Sequence, residues 1–274
     1  MTSVRISTVA DAVAYPEDEE KLITVIETLR SFQIPYIVAG RLSNVLFRST
    51  RYKGVIINTA KFTTKYEAEK LVELACGTSL PKIIREMADI GLGGMEGLYG
   101  IPGTVGGMVR QNAGAFNYEI SDTFLSARCY YPTTGAVKTL EKDDMNFSYR
   151  HSVLANTDLI LLSAKFLFVP KDKRSIFEEI AEYSHIRRST QPIGSPSLGS
   201  VFKRVGNISA AYYIDRSGMK GLCVGGAKVS EKHAGFIVNN GDATANDYLT
   251  LIDIIKEKVL KLYGIELEEE IVII

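Results

Sequence analysis

The sequence predicts an α+β protein in two parts. Three observations carry this. Segments of helical period alternate with β-branched runs early in the chain, a hairpin-rich stretch fills the middle, and Pro192 and Pro196 interrupt the chain before a final mix of short helices and strands. With 274 residues, 46% of them hydrophobic, the chain can form one large domain or two ordinary ones, each with a core.

The elements follow in order. Pro16 opens a helix whose first turn is EDEE. Leu22, Val25, Ile26 and Leu29 share one face, and the early acids and late Arg30 suit the helix dipole. The strand PYIVAG, the loop RLSN and the strand GVIIN complete an α/β unit. Ser79 is the expected cap of a second helix, with Ile83, Ile84 and Met87 facing inward. FLSARCYYP, a turn at Thr134–Gly135 and AVKTL read as a hairpin, and LILLSAKFLFV as a central strand. A helix from about Arg174 to Arg188 leads to the proline break. Beyond it, a helix from Ser209 to about Ser217 stops at Gly218, and GFIVN is a strand. NDYLTLIDIIKEKVLKLYG is an amphipathic helix capped at Asn246 and stopped at Gly264, and IELEEEIVII is a last strand.

Composition excludes several classes. The 32 basic and 32 acidic residues balance, so no nucleic-acid partner is expected. The three cysteines are far apart and odd in number, which argues against a disulfide framework and for a reducing, cytoplasmic setting. No His or Cys set has metal-ligand spacing, so no metal is expected. The N-terminus lacks the apolar run of a signal peptide, and the most apolar stretch contains Lys165 and is too short to span a bilayer, so no membrane association is expected. A monomer is the expected state.

One window stands apart. Between Gly91 and Gly114 lie 9 of the 23 glycines, and Gly97, Gly100, Gly103 and Gly106 fall three apart, a period that is neither helical nor strand-like. Bare backbone of this kind serves either a tight structural loop or a surface against which a pyrophosphate or a flat ring can lie. The window matches neither a Walker A loop nor the Rossmann fingerprint.

GLYGIPGTVGGMVRQNAGA followed by EISD resembles the flavin-binding segment of the UDP-N-acetylenolpyruvoylglucosamine reductase (MurB) family. SYRHS, RRSTQPIGSPSLGSVFK, MKGLCVGGAKVSEKHAGFIVNNGDATA and GIELEEEIVII resemble further family motifs, in order and over most of the chain. The resemblance implies an FAD-binding domain of the vanillyl-alcohol-oxidase type over 1–189. Its two α/β lobes would cover about 1–59 and 60–170, followed by a connecting helix, and the C-terminal strand 265–274 would join it. A smaller α/β substrate-binding domain would cover 190–264. It also implies FAD as cofactor, NADPH as co-substrate and a UDP-sugar substrate whose enolpyruvyl ether is reduced to give UDP-N-acetylmuramate.

That reaction sets its own demands. Hydride must come from a flavin, because side chains cannot supply it. A cation must meet the charge developing on the carboxylate, and an acid must protonate the α-carbon. The resemblance assigns Arg150 as the cation, Ser200 as the proton donor and Glu270 as the carboxylate that orients the donor or stabilises the intermediate. Strand alternation instead singles out Glu269, the one acid on the face of Ile265, Leu267, Ile271 and Ile273. The resemblance further implies cofactor contacts from Gly40, Ser43, Asn44, Gly103, Thr104, Gly106, Gly107, Asn112 and Gly114. Substrate contacts would come from Arg188, Gln191 and Lys203. His233 reads either as a ligand contact or, as is commoner for a lone histidine beside a strand, as a structural residue.

The chain departs from the family pattern at Leu42, where a glycine is usual, at Arg204 for asparagine and at Val272 for arginine. If position 42 needs positive φ, leucine there costs about 1 kcal/mol or more. A second reading follows from these departures: a non-catalytic UDP-sugar or nucleotide binder on the same fold, with weakened FAD binding. A related flavin oxidase is disfavoured, since no histidine lies in either flavin loop.

Overall fold

The computed structural model describes residues 2–274. The chain forms two compact units. One holds Ala10–Arg41 and Lys53–His185; the other holds the chain up to Val9, Leu42–Tyr52 and Ile186–Ile274.

The unit of Ala10–Arg41 and Lys53–His185 is built on two sheets. The first has three strands, in the order Val9–Ala14, Arg51–Asn58, Tyr36–Ala39, and its last two run parallel, as the α/β reading requires. The helix Glu19–Ser31 between strands buries Leu22, Ile26 and Leu29, worth roughly 1.5–3 kcal/mol each. Asp18, not Pro16, marks its start, accepting a bond from the Lys21 N–H at 2.8 Å. The second sheet is antiparallel, in the order Ala136–Glu141, Phe124–Tyr131, Ile160–Leu167, Leu71–Ala75, Lys65–Ala68. The apolar strand Ile160–Leu167 is central, which is why it reads as a near-continuous hydrophobic run. The helix Leu80–Asp89 buries Leu80, Ile83, Ile84 and Met87 in the core of this unit. A bidentate pair, Arg128 to Glu19 at 2.7 and 2.8 Å, ties the first helix to the second sheet.

The other unit carries a four-stranded antiparallel sheet ordered Ser197–Ser200, Phe236–Asn239, Ala227–Val229, Cys223–Val224. The helix Ala245–Tyr263 lays Tyr248, Leu251, Ile252, Ile255 and Val259 into its core. Thr244 caps that helix, not Asn246, in a capping box with Asp247. Thr244→Ala is expected to cost about 1 kcal/mol, read as a lower urea midpoint. The Thr244 N–H holds the Asp247 carboxyl below its ordinary pKa. This contribution is therefore present at neutral pH and is lost as pH falls through the lowered folded-state value.

The units differ from the expected domains in three places, the first being that the chain up to Val9 and Leu42–Tyr52, expected in the FAD-binding part, group with Ile186–Ile274. The chain passes between units at Ile186, inside the helix Lys173–Thr190, ahead of the Pro192–Pro196 break. The tail 265–274, expected with the FAD-binding part, belongs with Ile186–Ile274, because Val272 and Ile273 pair in parallel with Val45 and Leu46 of that same unit. The expected ten-residue strand is only Val272–Ile273, preceded by an isolated bridge between Glu269 and Phe202.

Candidate functional site

Gly40 ends the strand Tyr36–Ala39, and a Cβ added there would run into the Thr104 side chain. Two stretches expected to hold cofactor, Gly40 and the glycine window, thus touch. The chain leaves this unit between Arg41 and Leu42. Leu42 has φ +54°, the left-handed region that costs a non-glycine residue about 1–2 kcal/mol. That cost exceeds the roughly 0.5–1 kcal/mol of unfolded-chain entropy that glycine adds. Leu42→Gly is therefore expected to raise stability by up to about 1 kcal/mol, read from the denaturation midpoint. Ser43 and Asn44 are half-buried. The Asn44 amide, expected against cofactor, donates to the Glu270 carbonyl at 3.0 Å, and the Val272 N–H donates to Asn44 O at 2.9 Å. Asn44 therefore seats the tail.

The glycine window is bare for two different reasons. At Gly97 an added Cβ would lie 2.6 Å from Tyr118 Cδ2 and 2.7 Å from the Ala115 carbonyl. At Gly106 it would lie 3.3 Å from Cys76, whose carbonyl accepts the Gly106 N–H at 2.8 Å. At Gly114 it would meet Glu119 Cγ and Tyr118 O at 2.9 Å and Arg150 Nη1 at 3.1 Å. At these three the protein itself takes the space. Gly103 faces only the flexible Met108 side chain, and Thr104 is buried. Gly107 alone of this group has an open, exposed face: its Cβ would meet nothing nearer than Thr104 Oγ1 at 3.9 Å. This bare backbone in the helix Val105–Arg110 is open to a ligand and leaves room for the phosphate or ring edge of an FAD.

Arg150 sits at the third position of a tight turn closed by reciprocal Ser148–His151 backbone bonds of 3.1 Å. Its φ is +55°, in the region glycine favours. Its Nη2 donates to the Gly114 carbonyl at 2.7 Å, and its guanidinium lies 4.8 Å from the Tyr149 ring centroid. Gly114 is thus a seat for Arg150. Asn112, expected to touch cofactor, is 1% exposed. Its Nδ2 donates to Glu119 Oε2 at 2.9 Å and Ser148 O at 3.1 Å, and its Oδ1 accepts the Ser121 N–H at 3.0 Å. Glu119 and the Ser148 carbonyl carry no sequence signal of this role.

In the other unit, Ser200 is half-buried at the end of its strand, paired with Phe236. The tail runs antiparallel beside the residues that follow it. The Glu270 N–H donates to Val201 O at 2.7 Å and the Lys203 N–H to Glu268 O at 2.8 Å. Ser200 and Glu270 are thereby brought to neighbouring positions. Glu269, the acid that alternation singles out, pairs with Lys256 at 2.8 Å, so a lysine answers its charge on the buried side of the tail. Lys203, expected on the substrate, has its ammonium paired with Glu268. Arg188 is exposed near the end of its helix, its carbonyl accepting from Lys232, and Gln191 is half-buried just beyond. Burial lowers the His233 pKa; its Nδ1 accepts the Gly235 N–H at 3.2 Å and its ring packs edge-on against Phe236. Among the described residues there is no cluster suited to a metal ion, and no helix is long and apolar enough to cross a membrane.

An FAD binding domain family model matches residues 10–141, and one for the C-terminal domain of UDP-N-acetylenolpyruvoylglucosamine reductase matches 191–274. The chain is 41% identical to the UDP-N-acetylenolpyruvoylglucosamine reductase of Caldicellulosiruptor bescii, over 98% of its length and 86% of that protein. It is 37% identical to that of Streptococcus pyogenes serotype M18, over 100% of its length and 92% of that protein. The crystal structure of UDP-N-acetylenolpyruvylglucosamine reductase from Thermus caldophilus superposes with a TM-score of 0.83 at 31% identity, covering 99% of this chain and 95% of that one.

Proposed function

The chain belongs to the UDP-N-acetylenolpyruvoylglucosamine reductase family, and from that premise we infer how its residues divide the work. It is a flavin-dependent oxidoreductase that reduces the enolpyruvyl ether of UDP-N-acetylglucosamine enolpyruvate to UDP-N-acetylmuramate, with NADPH as reductant, in peptidoglycan precursor synthesis. FAD, when bound, carries the reducing equivalents from NADPH to the terminal carbon of the enolpyruvyl group.

The rest of the chemistry falls to side chains. The guanidinium of Arg150 is always charged and presents a planar fork that suits a carboxylate. Anchored through Nη2 to Gly114 O, it can meet the enolpyruvyl carboxylate without reorganising as charge builds there. The Ser200 hydroxyl gives its proton to the α-carbon. It is a weak acid in water, but the carbanion-like centre is a strong base, so transfer from a held hydroxyl runs downhill. Glu270, beside Val201 through its N–H, orients that hydroxyl. Gly40, Gly103, Thr104 and Gly107 would hold the cofactor, and Arg188, Gln191 and Lys203 would serve the UDP-sugar, Lys203 exchanging Glu268 for a phosphate.

The observation that carries the assignment of the acid is the short ladder that sets Glu270 beside Val201, directly after Ser200. The test is the visible spectrum of the purified protein before and after added FAD and desalting, then NADPH oxidation with and without the enolpyruvyl UDP-sugar. Retained flavin and substrate-dependent oxidation are expected. A protein that cannot retain flavin would favour the non-catalytic reading, for which the strained Leu42 is the supporting feature.

A further inference from the structure

We propose that Asn112 is a positioning residue for Arg150, acting through the Ser148–His151 turn; the inference rests on the role given to Arg150 above. The orientation of the Asn112 amide is dictated by its neighbours. Its nitrogen faces two acceptors, Glu119 Oε2 and Ser148 O, and its oxygen faces a donor, the Ser121 N–H. A flipped amide would leave all three unsatisfied in a site that is 1% exposed.

These contacts close a ring. Asn112 holds the carbonyl of Ser148, the first residue of the turn. The turn carries Arg150 at φ +55°, a conformation that persists in a side-chain-bearing residue only when its surroundings enforce it. The Arg150 guanidinium returns to the Gly114 carbonyl, and Gly114 pairs with Glu119 in a two-residue hairpin. Glu119 accepts from Asn112 and completes the circuit. Asn112 and Gly114 belong to one short segment, so that segment fixes both the base of the turn and the tip of the arginine. Releasing the base lets the turn relax towards negative φ, which swings the side chain away while leaving the charge in place.

The test uses the FAD-loaded full chain and resolves the two half-reactions by rapid mixing: flavin reduction by NADPH, and reoxidation by saturating enolpyruvyl UDP-sugar. Asn112→Asp keeps the size of the side chain but replaces the donor with an acceptor, so the bonds to Ser148 O and Glu119 Oε2 are both lost. Reoxidation is expected to slow about 10–100-fold, the scale of a misplacement near 1 Å, with NADPH reduction and flavin content within about twofold of the parent. Combined with Arg150→Met, Asn112→Asp is expected to add nothing further, because it acts through the missing guanidinium. Equal slowing of both half-reactions, or full additivity in the double variant, overturns the proposal. If Asn112→Asp does not fold, Asn112→Ser, whose hydroxyl is too short to reach Ser148 O, is read by the same criteria. The two levels separate cleanly. Arg150→Met with unchanged reoxidation overturns the role of Arg150 and this inference with it. A slow Arg150→Met beside a parent-like Asn112→Asp overturns this inference alone.

Discussion

Ser200→Ala is expected to leave flavin reduction by NADPH unchanged and to slow reoxidation by the enolpyruvyl UDP-sugar about 10²–10⁴-fold, the range for losing a placed general acid. The structure argues that this loss would be chemical and not structural. The ladder beside Ser200 is made by main-chain groups: Val201 N–H to Gly235 O at 2.9 Å, and Glu270 N–H to Val201 O at 2.7 Å. Alanine keeps both. Ser200 is half-buried at a strand end, so removing one hydroxyl opens no core cavity. Normal turnover by this variant would remove Ser200 from the mechanism and leave the proton to another donor.

Gly107→Val should abolish flavin retention while the fold stays intact. The open face at Gly107 leaves room for the new side chain, and valine in place of glycine within a helix gains a few tenths of a kcal/mol, about 0.4 on the propensity scale. Unfolding of the apo-protein should therefore be unchanged or slightly harder, while added FAD is lost on desalting. Gly106→Val is a poorer probe, since its Cβ already meets Cys76 at 3.3 Å and its failure would report packing. Stoichiometric FAD on the Gly107→Val protein would show that the cofactor lies elsewhere.

The long elements were legible because their signal is local. The apolar period of Leu22, Ile26 and Leu29, the Ile83–Ile84–Met87 face and the Tyr248–Val259 stripe each mark a helix that the structure contains. The tail shows where that signal stops. Alternation assigned its faces well, with Leu267 and Ile271 buried and Glu269 answered by Lys256. It could not say that Val45 and Leu46 offer a partner for only two residues, so the strand is short. The prolines at 192 and 196 mark the end of an element, whereas the passage between units depends on contacts between distant segments. The glycine window reads either as a tight structural loop or as a ligand surface, and at Gly97, Gly106 and Gly114 the occupant is the protein's own chain. Sequence shows that a side chain is missing; only packing shows what uses the gap.

The composition of the second unit bears on how the protein is made. Val4, Ile6 and Leu46 lie in the same core as Leu198, Ile237 and Leu267, and the Asn239 amide donates to the Val4 carbonyl at 3.0 Å. The segment around Val4 is therefore completed by residues made some 235 positions later. At roughly 5–20 residues per second the early segments wait on the order of 10–50 s for their partners, with apolar side chains uncovered meanwhile. A nascent chain stalled short of Val272 would lack the parallel pairing to Val45–Leu46. The stretch 191–274 expressed by itself would meet the same deficit from the other side, and adding back a peptide spanning residues 2–52 is the natural way to rescue it.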